Sequence, residues 1–425
     1  MRKKDLRAPF EGLAGIDWEK SFGTIPTPSY ILDKKQLQKN GEILLKLQKR
    51  TGCRILLAQK AFSCYDTYPL LSRYAAGTEA SGLYEARLGA EKMPGKEVHV
   101  FCGAYREEEF RELLRFADHI VFNTPGQLRK FGPSAKRAGK SLGLRINPEC
   151  STQEGHDIYD PCAPGSRLGT TRELWEEEMT EELAGLLDGL HFHTLCEQDS
   201  DDLKVTLQAF CGKFSDVLPR MKCLNMGGGH HITRPGYRMD ILEKCISDVQ
   251  RDFGLTVYLE PGEAWALNAG YLVTRVLDTF HNKETRIAIL DASAACHMPD
   301  VLEMPYQPPL FGARVPEEAD QDALPFRVRL GGPTCLSGDI IGEYCFPEPP
   351  EEGKLLCFGD MAIYTICKNN TFNGMPLPQI RLLQEDGSLT LLASFGYEDF
   401  LQRLGGSAPD VSEKRNGGIS EIISI

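Results

Sequence analysis

From about Cys53 to Glu260, short apolar runs alternate with stretches of helical pattern. The runs are CRILLAQK (53–60), YAAGTEAS (74–81), VHVFCG (98–103), HIVFN (119–123), LGLRIN (142–147), GLHFHT (189–194), CLNMGG (223–228) and VYLEPG (257–262). Near-continuous apolar runs, without strict alternation, suit strands buried on both faces of a parallel sheet. Spacers such as YPLLSRY (68–74), EEEFRELLR (107–115) and the long WEEEMTEELAGLL (175–187) carry helical spacing. Eight β/α units in roughly 210 residues have the size and rhythm of a (β/α)8 TIM-type barrel. A doubly wound open sheet is the rival arrangement. After Glu260 the texture changes. Strand-like runs at 271–279, 285–292, 355–360, 379–384 and 389–393 are separated by Gly- and Pro-rich turns. The fold class is therefore α/β: a barrel over 27–262, then a mostly antiparallel β domain over 263–425 together with 1–26. SYILD (29–33) is a further candidate strand for that second sheet. Pro- and Glu-rich stretches at 303–325 and 346–353 read as exposed loops.

Length agrees with two domains, since 425 residues exceed one ordinary core. The chain is 41% hydrophobic and 25% charged, a globular balance. No apolar run approaches the roughly 20 residues that span a bilayer, and no apolar signal core follows the basic start. The formal charge of −12 argues against a nucleic-acid partner, because phosphate contact needs a basic surface. It suits a cationic small molecule better. The 14 cysteines are scattered singly, without a C-x-x-C pair. That is the usage of a reduced, cytoplasmic protein, with no metal site.

In a barrel, chemistry gathers at the C-terminal ends of the strands. Strand one ends in Lys60, strand two in Glu79 and Ser81, and strand five in Arg145 and Asn147. Strand six carries His191 and His193, strand seven ends in Gly227, Gly228 and Gly229, and strand eight in Glu260. Singly, each has an ordinary explanation: a solvated lysine, a tight turn, a core histidine, a turn carboxylate. Together they suggest more. Glycine amides suit a phosphate, and barrels bind phosphate after strands seven and eight. A carboxylate next door would hold a pyridinium N–H, a histidine would stack on a flat ring, and a lysine would form a Schiff base. Those four needs describe pyridoxal phosphate.

The blocks AQKAF (58–62), YDPCAPGSRLG (159–169), GLHFHTLCE (189–197), NMGGGHH (225–231), EPGE (260–263), GPTCLSGD (332–339) and GDMAIYT (359–365) carry a resemblance. The chain resembles the fold-type III pyridoxal phosphate enzymes, the alanine racemase-like ornithine/diaminopimelate decarboxylase superfamily. Its HFHTLCE and YDPCAPGSRLG blocks are similar to those of the carboxynorspermidine/carboxyspermidine decarboxylases. The resemblance implies that Lys60 would carry the cofactor and His193 would stack on its ring. Glu260 would keep the pyridine nitrogen protonated, and Gly227, Gly228 and Gly229 would cradle the phosphate with help from Tyr364. Glu79 and Arg145 would position lysine and cofactor. Cys335 would reprotonate Cα, reaching the site of the other subunit of a homodimer. Asp291 and Asp339 are candidates for substrate amines.

One position departs from the superfamily pattern. Where relatives place arginine after the EPG motif, this chain has Glu263. An acid there would attract an amine and repel a carboxylate, as would Glu197 and Asp199. The expected reaction is decarboxylation of a carboxylated polyamine. Diaminopimelate or ornithine remains open as substrate. A metal-dependent hydrolase using His191 and His193, and a non-catalytic cofactor-binding protein, are the rivals of other classes.

Overall fold

The apolar runs of the first half become strands that hydrogen-bond side by side. After β1 (Ser29–Asp33) they are β2 (Arg54–Ala58), β3 (Gly77–Ala80), β4 (Glu97–Phe101), β5 (His119–Phe122), β6 (Ser141–Arg145), β7 (Gly189–His191), β8 (Cys223–Asn225) and β9 (Thr256–Leu259). In the computed structural model, which describes residues 8–153 and 160–405, β2 to β9 close into an eight-stranded barrel with every neighbour parallel. Tyr159, at the head of its motif, lies outside the described residues. The barrel predicted from the sequence is present and the open sheet is not.

The helices show why the spacing works. Helix 239–253 buries Leu242, Cys245, Ile246 and Val249, one face at i, i+3, i+4 and i+7. It stops at Gly254, whose φ of 70° suits glycine. The stretch 175–187 is not one long helix. It breaks into Arg172–Glu178 and Glu181–Ala184, because the Thr180 side chain accepts from the Leu183 N–H and caps a new start.

The second half builds an eight-stranded sheet around one long strand, β10 (Gly270–Asn282). Its first half pairs with β1 and with β14 (Leu355–Gly359), and its second half with β11 (Thr285–Leu290). A bulge between Val276 and Asp278 separates the two halves. Beyond β11 come β12 (Phe326–Gly331) and β13 (Ile340–Phe346); beyond β1 come β15 (Gln379–Leu383) and β16 (Leu389–Ala393). Only β1–β15 and β11–β12 are parallel, so the sheet is mostly antiparallel. SYILD thus belongs to the sheet, and the expected start of the barrel unit at residue 27 moves past it.

The sequence pattern missed β12 and β13. Both are half solvated, and Arg327 and Arg329 pair with Glu343 across the strands, so the apolar signal is diluted. The 303–325 stretch is likewise not all exposed loop. Leu310 and Ala313 are buried, and single bridges tie Leu310 to Phe358 and Arg314 to Cys345. Among the described residues, no helix is long and apolar enough to cross a membrane.

Candidate active site

A cavity of about 220 Å3 opens at the C-terminal end of the barrel. Lys60, Glu79, Ser81, Arg145, His191, His193 and Glu260 line it, with Phe101, Cys102, Gly103, Arg167 and Leu168. Five separate strands or the turns after them supply the predicted polar set. Each chain segment leaves the barrel there, so residues far apart in sequence converge.

Two carboxylates share the cavity and are driven apart. Glu260 accepts from His191 Nε2 at 3.0 Å and from the amide of Asn225. Burial alone would push this acid up, but His191 and Asn225 outweigh it and hold Glu260 below the ordinary carboxylate value. Glu79 moves the other way. Burial and the Glu260 charge raise it well above the ordinary value, against the pull of Lys60. The two carboxyls are thus driven in opposite directions, Glu260 toward the anion and Glu79 toward the acid, a division that separates their roles.

The histidines are neutral. Burial lowers His191, with Glu260 opposing. Burial also sends His193 well down, helped by the charges of Lys60 and Arg145. His193 Nδ1 accepts the Gly228 N–H at 3.2 Å, which leaves the proton on Nε2. Arg145 stands 4.5 Å from the centroid of the Phe101 ring, and burial brings its guanidinium down to about 10.

The triple glycine turn has no room for side chains. Gly227 and Gly229 have φ of 69° and 79°. A Cβ on Gly227 would stand 2.5 Å from the Phe192 carbonyl, one on Gly228 2.5 Å from the Glu260 carbonyl, and one on Gly229 2.1 Å from the Leu195 carbonyl. The Gly227 N–H is bound to Asn225 Oδ1 at 2.9 Å, and that of Gly228 to His193. Two of the three amides are thus internal ties, and the turn's contribution to a phosphate site is mainly its close-approaching backbone. A lysine, an ionised carboxylate, a neutral histidine and this turn around one cavity fit pyridoxal phosphate.

The other predicted residues divide. Tyr364 is brought close: its N–H donates to the Ala61 carbonyl at 2.9 Å, beside Lys60. Burial raises its hydroxyl well up, with Glu263 and Cys196 adding to the effect. Glu263 pairs with His231. Cys335 is exposed and outside the cavity lining; its N–H donates to Asn373 Oδ1 at 2.8 Å. Asp339 and Asp291 turn out to hold the fold. Asp339 accepts from Thr334 Oγ1 at 2.7 Å, Ser293 Oγ at 3.0 Å and the Ala295 N–H at 3.2 Å, which fastens the loop that carries Cys335. Asp291 accepts from Thr27, Thr274 and the Arg275 N–H, tying the chain's first described segment to β10 and β11. Their oxygens are spent on these donors and are not brought to the cavity.

Sequence reasoning missed Asn225, Phe101 and His231. Asn225 ends strand seven and could have been found by the same rule that found Glu260. Phe101 reads as core from sequence, and the His231 contact joins two separate loops. The set His191, His193 and Glu260 has its ligand atoms within 4.8 Å, as a metal site would. Yet His191 and Glu260 are bound to each other and His193 Nδ1 is bound to Gly228.

The profile of the family described as "Pyridoxal-dependent decarboxylase, C-terminal sheet domain" matches residues 29–362. A carboxyaminopropylagmatine decarboxylase of Synechocystis sp. is 40% identical over 385 residues, covering 90% of this chain and 97% of that protein. A carboxynorspermidine/carboxyspermidine decarboxylase of Campylobacter jejuni is 39% identical, covering 90% of this chain and 99% of that one. The solved structure of carboxynorspermidine decarboxylase from Campylobacter jejuni, complexed with norspermidine, superposes with a TM-score of 0.80 at 38% identity. It covers 89% of this chain and 100% of that chain. With the family profile matched across both barrel and sheet, and such relatives over nine-tenths of its length, the chain belongs to the pyridoxal-dependent decarboxylases, carboxy-lyases that work with pyridoxal phosphate.

Proposed function

We propose that this enzyme decarboxylates carboxynorspermidine or carboxyspermidine, yielding norspermidine or spermidine in polyamine synthesis. The observation that carries the chemistry is the division between Glu260, held down by His191 and Asn225, and Glu79, pushed up by burial, in one cavity with Lys60. The near-equal likeness to decarboxylases named for carboxylated polyamines supports the substrate class.

Bound pyridoxal phosphate supplies an aldehyde for imine formation and a protonated ring that takes up the electron pair left by departing CO2. Lys60 is the amine that would anchor it and later release the product. Glu260 would keep a proton at the pyridine nitrogen, and the buried His191–Asn225 backing holds that carboxylate in place. Neutral His193 offers an uncharged ring face for stacking, oriented through its Nδ1 bond to Gly228. Glu79 and Arg145 orient the lysine side of the cavity, and Tyr364 closes it from the β domain. On the far side, Glu197 and Asp300 join Glu263 in raising the Cys196 thiol, which burial already lifts, to about 12. On this flank Glu197 and Asp300 suit the ammonium end of a polyamine.

Cys335 would protonate Cα. Its exposure on a fastened loop fits delivery to the cavity of a second copy, so the reading includes a homodimer. Unpaired cysteines throughout fit the cytoplasm.

The test is competition. Carboxynorspermidine, carboxyspermidine and carboxyaminopropylagmatine are offered together, with diaminopimelate as control, and CO2 and amine products are measured. Preference for diaminopimelate would overturn the polyamine reading. One methylene is worth only about 1–3 kcal/mol, so the first two should differ by about 10- to 200-fold at most.

A further inference from the structure

Position 263 poses a problem. A phosphate in a barrel of this kind lies between the loops after its seventh and eighth strands, here the loops after β8 and β9. The loop after β9 carries an acid, Glu263, where a dianion would meet repulsion. The loop after β8 answers it. Two residues beyond Gly229, His231 turns its Nε2 to the Glu263 carboxylate. The ligand atoms of His231, Glu263 and Glu197 lie within 4.8 Å of one another. The pair is mostly buried, with side-chain exposures of 12% and 14%.

We propose that His231, fixed by Glu263, is the charged donor that this chain offers to the cofactor phosphate. The proposal rests on the pyridoxal phosphate reading and deepens it. With Nε2 given to Glu263, the second ring nitrogen of an imidazolium still carries a proton to donate. Glu263 acts through His231: it keeps the ring charged and fixes its direction, as carboxylates do behind histidines elsewhere. Burial alone would lower His231, but Glu263, and then Glu197, reverse this and raise it. Arg234 opposes them, and Arg234 is itself bound to Asp199 at 3.0 Å. Neighbouring His230 is no substitute. Burial brings it to about 4, and its Nε2 faces the Met226 carbonyl. The turn's first two amides are internal ties, so a charged donor beside the turn supplies what they do not. Glu263 is thus a positioning residue, and the charge for the phosphate comes from a two-residue device.

The test measures cofactor binding to the full chain stripped of pyridoxal phosphate, by titration with pyridoxal phosphate and with pyridoxal, which lacks the phosphate. His231→Gln should weaken pyridoxal phosphate by about 10- to 100-fold, as loss of a charge-assisted bond does, and leave pyridoxal within about twofold. Glu263→Gln should bind pyridoxal phosphate normally at low pH and lose affinity at a lower pH than wild type does. The 31P resonance of the bound cofactor should shift in both variants. Equal loss of both ligands in His231→Gln would overturn the proposal. So would unchanged pyridoxal phosphate affinity with a raised KM, which would place the pair on the substrate. Should His231→Gln fail to fold, judged by its circular dichroism, the Glu263→Gln pH midpoint decides; an unmoved midpoint rejects the proposal. A wild-type chain that takes up no pyridoxal phosphate overturns the cofactor reading itself, and this proposal with it.

Discussion

Two histidine–carboxylate pairs stand three residues apart on the loop after β9, and they hold their protons differently. Glu260 with His191 forms an anion backed by a neutral ring. Glu263 with His231 holds a ring above the ordinary histidine value. The residue types are the same, and so is the contact. The surroundings differ. His191 is buried beside Arg145 and Lys60, whose charges disfavour a further cation. His231 has a second acid, Glu197, within reach. Burial opposes charge on both rings, and the neighbouring sign decides which ring keeps its proton. A motif of two acids, EPGE, thereby yields two unlike electrostatic sites.

The widest break in this comparison comes from removing what both pairs serve. Lys60→Ala should abolish CO2 release and the borohydride-sensitive absorption of bound cofactor; a variant that keeps both would remove Lys60 from its role. Next is Glu260→Gln, which leaves a hydrogen-bonding side chain without charge. It should cost about 100- to 1000-fold in kcat with little change in cofactor affinity, the reverse of His231→Gln. Similar losses in both variants, in both parameters, would erase the distinction.

A smaller effect tests the scaffold behind the Cys335 loop. Asp339→Ala strips the acceptor from Ser293, Thr334 and the Ala295 N–H, at about 1–3 kcal/mol for each donor left unsatisfied. The melting temperature should fall while the isolated cofactor spectrum stays. An unshifted melting temperature would return Asp339 to the substrate-binding candidates.

The smallest effect is on stability against pH. His231 binds its proton more tightly in the folded chain than its ordinary 6.5. Its contribution is full below 6.5 and fades as pH rises through the folded value. Glu260 is depressed from 4.5, so its contribution is full above 4.5 and fades as pH falls through the folded value. Glu263→Gln should flatten the alkaline limb of melting temperature against pH, and Glu260→Gln the acid limb. Exchanged limbs would mean that the two pairs had been assigned the wrong way round.

The barrel and most of the cavity were legible in the sequence. Buried parallel strands demand continuous apolar runs, and eight such runs gave eight strands. The rule that chemistry sits at strand ends located Lys60, Glu79, Arg145, His193 and Glu260, all of which line one cavity. The sheet was less legible. β12 and β13 are half solvated, and their cross-strand Arg–Glu pairs hide the apolar alternation. Asp291 and Asp339 were candidates for substrate amines, because a carboxylate carries no sign in sequence of the donors that will fill it.

Periodicity is local, so the chain's own pattern determined its elements, their order and the rim on which the polar residues gather. Protonation depends on which charges arrive from other strands. Only the closed barrel decided that Glu260 is driven toward the anion and Glu79 toward the acid. It also decided that Glu263 faces His231 and that Gly228 spends its amide on His193. Each depends on distances of a few ångströms between residues that the sequence keeps tens of positions apart.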